Sequence, residues 1–452
     1  TDKSAKYDIK VQARDDGMPE GLSRVLDILA SKLSEFHLLS AMEWGGEDPY
    51  SIQRNNFEWF NYYHRSMFIH AEKIDHDLKI FSKLLNNREN VLYGDHTIAY
   101  RLINLSKIYS ALSLENKLIA DWVLDLDFRI LNDQSFSIMS KGYNHAVDQL
   151  FGIICYHHFV KQIDLQVYAR VLSDLKLEIT NSIDECYIHV ENTPDYHYYA
   201  MQRLSAINAV INDSEFSTLL AHMTEYLSYV VPYEGAQLIN FGDCSGKYIW
   251  GDLPNPVLKP EHRDEIKWFK TGHLIYCPEN TYFYSKSSKR HWNHHHYDNT
   301  SYVFWTGGEN FIVDAGTYSY EHRHPNREYC QSPYAHNIMC LIDKDSLLGV
   351  HNLEHYKTTA LKISSNKFKF GVKMYEQTST ERVLTLNRNN ILFEDQMIDS
   401  SESHDFSYSF IHFNNNSEIS TTTNGDFLVR LNSQSIRLSI ETPLEGPAIF
   451  II

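Results

Sequence analysis

The sequence predicts two kinds of structure in series: a helical domain over residues 1–231, then an antiparallel β-sandwich over residues 232–452. Three observations carry that expectation. Apolar residues in the first half recur at helical spacing. In the last third they alternate at every second position, as half-buried strands do. Between the two lies a cluster of turn formers, from Pro232 and Gly235 through Gly242, Gly246 and Gly251 to Pro254, Pro256 and Pro260, which reads as a linker.

The first helical stripe is Leu22, Val25, Leu26, Ile28, Leu29, Leu33 and Phe36. A second is Ile98, Leu102, Leu105, Ile108 and Tyr109, and a third Val147, Leu150, Phe151, Ile154 and Phe159. Helices in series without strands bury their stripes on one another, as a bundle, solenoid or closed toroid. The strands come later. Phe368, Phe370, Val372 and Met374 share one face, as do Phe406, Tyr408 and Phe410; Phe427, Val429 and Leu431; and Ile436, Leu438 and Ile440. Asn387–Asn390 and Asn424-Gly425 supply turns between them.

Charge narrows the function. With 41 Lys+Arg against 58 Asp+Glu the net charge is −17, so the chain has no long-range attraction for nucleic acid or an anionic membrane. A local cation cluster, such as Lys286, Lys289 and Arg290 with Arg323 and Arg327 downstream, would still be needed to grip a polyanion; the same run also reads as a solvated turn. No stretch is long and apolar enough for a membrane-spanning helix. The six cysteines form no CxxC pair and read as mostly free and buried. The opening Thr1-Asp2-Lys3-Ser4 has no leader-like pattern, and a leader removed earlier would fit a periplasmic or secreted setting, with the cytoplasm as the alternative.

Two constellations carry chemistry. The denser runs from Arg290 through His294-His295-His296 to Asp298, followed by Asp314-Ala-Gly and Ala335-His336-Asn337. On a strand His294 and His296 would share a face. His296, Asp314 and His336 lie 18 and then 22 residues apart, which suits neighbouring strands. Two imidazoles and a carboxylate make a zinc site, with Mn²⁺ or Ca²⁺ less suited to the nitrogens; alternatively the run is a solvated turn. The second constellation is helical. Thr193-Pro194 reads as a helix start that places Tyr196 and His197 in the first turn, where a developing anion is favoured. It also reads simply as a cap with aromatic packing. His96 and Arg101 form a weaker helical pair, or surface decoration.

In order, these motifs are Asn144-His145, Glu191-x-Thr-Pro-x-Tyr196-His197, His294-x-His296-x-Asp298, Asp314-Ala-Gly-Thr-Tyr-x-Tyr320, Arg327 and Ala335-His336-Asn337. So ordered, the chain resembles the heparinase II/III-like polysaccharide lyases, the Tyr-His pair being most like the heparinase III type. The resemblance implies an incomplete (α/α) toroid followed by an antiparallel β-sandwich. It implies a lyase that cleaves an acidic, uronate-containing glycan by β-elimination. Asn144 would neutralise the uronate carboxylate; Tyr196 and His294 would move protons, with His197 beside them. His145, Glu191, His96, Arg101, Tyr320 and Arg327 would bind substrate, and His296, Asp314 and His336 would hold zinc. The chemistry explains the residue types. Removing the proton at C5 puts extra charge on the neighbouring carboxylate, which an amide donor stabilises without taking up the proton. A free tyrosine, with a pKa of about 10, is a weak base at neutral pH and needs nearby positive charge. Two rivals remain at this point: a glycoside hydrolase, which would need a carboxylate pair such as Glu191 with Asp184 or Asp195, and a catalytically silent glycan-binding or capsule-assembly protein.

Overall fold

A computed structural model of the chain describes residues 95–112, 114–132, 144–233, 236–244, 263–289, 294–318, 325–341, 356–373, 378–388, 390–399, 407–409, 411–421, 427–439 and 450–451. The stripe at Leu22–Phe36 and residues Met374, Phe406, Phe410 and Ile440 lie outside them. The chain divides into two compact units, Thr1–Ser182 and Ile183–Ile452.

The described part of the first unit is helical: α1 (Asp95–Ile108), α2 (Leu114–Asn132), α3 (Asn144–Phe159) and α4 (Leu165–Asn181). The stripe at Ile98, Leu102 and Leu105 is wholly buried. Along α3 every residue from Ala146 to Tyr156 is buried, because α1, α2 and α4 all pack on it. Asp164 starts α4, its side chain accepting from the Gln166 and Val167 amides.

The second unit opens with a helical hairpin, α5 (Pro194–Ile211) and α6 (Ser214–Tyr229). The change to strands falls between Tyr229 and Ile266, while compactness groups these two helices with the sheets. Five antiparallel strands follow as a meander: β1 (Ile266–Phe269), β2 (His273–Tyr276), β3 (Thr281–Lys286), β4 (Tyr302–Thr306) and β5 (Glu309–Ile312). Alternation along β3 shows how this sheet is covered on both sides. Phe283 enters the sandwich core. Tyr282 and Tyr284 point the other way, where the Tyr282 hydroxyl donates to Tyr229 O at 2.7 Å and the Tyr284 hydroxyl meets that of Tyr226 at 3.1 Å.

After a short helix, α7 (Pro325–Gln331), and β6 (Met339–Leu341) comes a second antiparallel sheet. Its strands are β7 (Lys357–Lys362), β8 (Lys367–Lys373), β9 (Thr378–Asn387) and β10 (Asn390–Asp399), in order β10-β9-β8-β7. Short strands complete the unit: β11 (Ser407–Ser409), β12 (Ile411–His412), β13 (Glu418–Thr421), β14 (Phe427–Leu431), β15 (Gln434–Leu438) and β16 (Phe450–Ile451). Leu274, Phe283 and Phe311 from the first sheet meet Phe368, Phe370, Leu384 and Leu386 from the second, with Phe413, Val429 and Leu431 closing the core. Each such side chain contributes about 1.5–3 kcal/mol. The order is therefore helices first, antiparallel sheets second.

Two buried polar residues tie the sandwich to the loop before β4. Asn337 donates to Tyr302 O and Val313 O, each at 2.7 Å, and accepts from His412 N at 2.6 Å. Arg382 forks onto Asp395 at 2.7 Å and donates to Thr300 O and Asn337 O.

Candidate active site

Tyr196 owes its place to the turn before α5. Thr193 is the N-cap: its hydroxyl accepts from Tyr196 N at 3.3 Å, with Pro194 in the first turn. Asn192 takes a left-handed conformation, φ 56°, and anchors the turn. Its amide donates to Val190 O at 2.7 Å and Lys289 O at 2.8 Å. Its carbonyl accepts from Lys286 Nζ at 3.2 Å, and the same ammonium pairs with Asp298 at 2.9 Å. Lys286 is thus a buried strut and not part of an exposed cation run. Lys289 is exposed, and Arg290 and Arg323 lie outside the described residues.

His197 stands behind Tyr196 and is completely buried. Its Nδ1 accepts from His189 N at 3.2 Å, which leaves Nε2 to donate to Met223 O at 2.9 Å. Burial lowers its pKa to about 4, against the opposing hydrogen bond to Met223. With both nitrogens engaged, the ring is neutral and has no site for exchanging a proton with a ligand.

His294 faces Tyr196 directly. The ring centroids are 3.9 Å apart, with planes tilted by 34°. The residues from His294 to Ser301 do not form a strand, and His294 itself has φ 53°. The expected strand with alternating histidines is therefore replaced by a loop, because a left-handed residue breaks the extended run. That bend turns both histidines toward one carboxylate, Asp243: His294 Nδ1 lies 2.5 Å from its Oδ2 and His296 Nε2 3.4 Å from its Oδ1. Burial pushes the Asp243 carboxyl up, but the His294 hydrogen bond and the His296 imidazole outweigh it and hold the group well below the usual carboxylate range. Arg327, on α7, brings Nη1 to 3.9 Å from the same carboxylate.

Asp243 is the residue that sequence reasoning missed. It sits in the glycine- and proline-rich stretch that reads as a linker, 51 residues before His294. The one local signal is a charged side chain between Phe241-Gly242 and Cys244, three positions that are all buried.

The donors expected for zinc are all buried. Asp314 accepts from His336 Nδ1 at 2.7 Å and from the Gly242 and Gly316 amides at 3.1 Å each. Burial raises the Asp314 carboxyl, and the His336 imidazole outweighs this and lowers it. His296 Nδ1 and His336 Nε2 are buried with no hydrogen-bond partner, and His296 Nε2 has only its 3.4 Å contact with Asp243. Two imidazoles with unused nitrogens and an adjacent carboxylate fit zinc in donor type. Among the described residues, however, no three His, Cys, Asp or Glu side chains are grouped to hold an ion.

The remaining expected residues fall in different settings. Asn144 and His145 are half-buried in the first turn of α3. Arg101 is buried, its guanidinium forking onto Asp127 at 2.7 and 2.6 Å, so it braces α1 against α2. Glu191 is buried, 3.9 Å from His189 Nδ1. His96 lies on α1, with its side chain outside the described residues, and Tyr320 lies outside them entirely.

Residues 270–446 match the family model described as heparinase II/III-like, C-terminal. The C-terminal region thus resembles a heparinase II/III-like domain. His294, His296, Asp314, Arg327 and His336 fall inside the match, whereas Tyr196 and Asp243 precede it. Residues 1–32, outside the described residues, match a second model for a family of unknown function. Sequence comparison with curated proteins finds no match. Among solved structures, the chain is similar to heparinase III, with 12% identity, a TM-score of 0.65, and coverage of 93% of this chain and 79% of that one. A mutant of the heparan sulfate lyase HepC from Pedobacter heparinus gives 13% identity, a TM-score of 0.55, and 93% and 77% coverage. A further heparinase III gives 13% identity and a TM-score of 0.53, with 82% of this chain covering 64% of that one. At these identities the likeness is one of fold. A helical region thus precedes the heparinase II/III-like domain in the order expected. No described helix is long and apolar enough to cross a membrane.

Proposed function

We propose that the chain is a polysaccharide lyase that cleaves an acidic, uronate-containing glycan by β-elimination. The observation that carries this reading is the phenol of Tyr196 lying against the imidazole of His294 beside a heparinase II/III-like domain. The similar solved structures, named as heparinase III and heparan sulfate lyase, support it.

In this reading one of the pair takes the C5 proton of the uronate. The freed electrons form the C4–C5 double bond, the C4–O bond breaks, and the other group of the pair gives the leaving oxygen a proton. Asn144 is assigned the substrate carboxylate by residue type. His197, with both nitrogens engaged, holds the turn that carries Tyr196. Arg327 and His145 remain substrate contacts, together with Glu191, His96 and Tyr320, whereas Arg101 is assigned to bracing. Zinc is proposed at His296, Asp314 and His336, where it would satisfy the unused imidazole nitrogens and order the surrounding loops; Mn²⁺ or Ca²⁺ are weaker candidates. A polymeric uronate substrate suits a periplasmic or secreted setting.

The test is a screen of heparan sulfate, hyaluronan, chondroitin, alginate and bacterial capsules for unsaturated product, with wild type, Tyr196→Phe and Asn144→Ala. Product from wild type, with strong losses in both variants, is expected. Binding without product from any polymer would overturn the reading in favour of a binding protein. Metal analysis of wild type and His336→Ala tests the zinc assignment, which zinc-free wild-type protein would sink.

A further inference from the structure

We propose that Asp243 is a positioning residue that fixes which ring nitrogen of His294 is presented for proton transfer, an inference that rests on the lyase reading above. A carboxylate can only accept hydrogen bonds when ionised. At 2.5 Å from Asp243 Oδ2, His294 Nδ1 must therefore be the protonated nitrogen. In the neutral ring this leaves the lone pair on Nε2. The same contact sets the orientation of the ring, whose centroid lies 3.9 Å from that of Tyr196.

The surroundings hold Asp243 in that role. Its side chain has no exposed surface. The Gly242 amide before it donates to Asp314 at 3.1 Å, and the Cys244 carbonyl after it accepts from Thr317 N at 2.8 Å. The carboxylate is thus pinned on both sides to the segment after β5. Its second oxygen faces Arg327 Nη1 at 3.9 Å and His296 Nε2 at 3.4 Å, so positive and imidazole groups surround it. On the other side of the contact, His294 holds a left-handed backbone, a strained conformation that the bond to Asp243 helps offset. A purely structural carboxylate would not need to aim at an imidazole that itself lies on the Tyr196 ring.

The test uses the full chain in three measurements. Nitrogen NMR of histidine-labelled wild type at neutral pH, with His294 assigned by its loss in His294→Gln, should show a protonated Nδ1. A protonated Nε2 in wild type would overturn the proposal without any Asp243 variant. Asp243→Asn should shift the ring toward the other tautomer, lower kcat by about 10²- to 10⁴-fold and leave KM within a few-fold. Asp243→Glu should recover part of that loss. An unchanged tautomer in Asp243→Asn, or a fall confined to KM, would overturn it. So would loss of bound zinc from Asp243→Asn, which would make Asp243 a metal ligand. Should wild type release no unsaturated product from any uronate polymer, the lyase reading fails, while the NMR result still decides the positioning role.

Discussion

Among the clusters of phenol and imidazole in the described residues of the Ile183–Ile452 unit, two are built from the same residue types and set to opposite ends. In one, Tyr226, Tyr284 and His273 bond to one another at 2.9–3.4 Å with no exposed surface. Burial pushes the phenols of Tyr226 and Tyr284 far up and the His273 imidazole well down, so none exchanges protons near neutral pH. In the other, half-buried Tyr196 meets His294, and an ionised carboxylate stands behind the imidazole. Residue type alone thus does not distinguish the proton-transfer site proposed at Tyr196 and His294. Access on one side and a compensating charge on the other do.

The largest expected effect separates the two clusters. Tyr196→Phe should lower kcat on an accepted uronate polymer by about 10²- to 10⁴-fold. Tyr284→Phe, assayed per folded molecule by initial rates, should leave kcat within a few-fold. Equal losses in both would dissolve the contrast. A second effect concerns acid. The unfolded chain protonates His197 near 6.5, whereas the folded chain does so only near 4. Between those values the unfolded state binds more protons, so stability should fall as the pH drops from 6.5 toward 4, by on the order of 3 kcal/mol. Buried His273 acts in the same direction. Urea unfolding across that range should show the slope, and His197→Gln should flatten it in part; an unchanged slope would refute a neutral, buried His197.

Smaller effects test the packing of each cluster. Tyr284→Phe leaves Tyr226 and His273 short of a buried partner and should cost about 1–3 kcal/mol by denaturant unfolding. Thr193→Ala removes the cap of α5 and should cost about 0.5–2 kcal/mol, with a rise in KM or fall in kcat only to the extent that Tyr196 shifts. A Thr193→Ala protein of wild-type stability would show that the tether from Asn192 to Lys289, and not the cap, holds the turn.

Periodicity made the architecture legible. Ile98, Leu102 and Leu105 lie buried on α1, and Phe368, Phe370 and Val372 lie buried on β8, because each period is set by the backbone geometry of its own element. Thr193-Pro194 likewise announced the start of α5, since capping is a local act. What stayed hidden was the contact between distant segments. Lys286, part of the expected cation cluster, is enclosed by Asp298 and Asn192. Arg101, expected at the substrate, has both arms of its fork on Asp127. Asp243 drew no notice because turn formers around it suggested a linker, and its meaning depends on a histidine 51 residues away.

The two glycines that cradle Asp314 carry a consequence for engineering. A methyl group at Gly316 would come within 2.3 Å of the Asn240 side chain, and one at Gly242 within 2.6 Å of Asp298 Oδ2, both at left-handed backbone angles. In a saturation library across these codons, survivors should retain glycine even under selection for folding alone. Tyr318, two residues beyond Gly316, is exposed and is the better position to randomise.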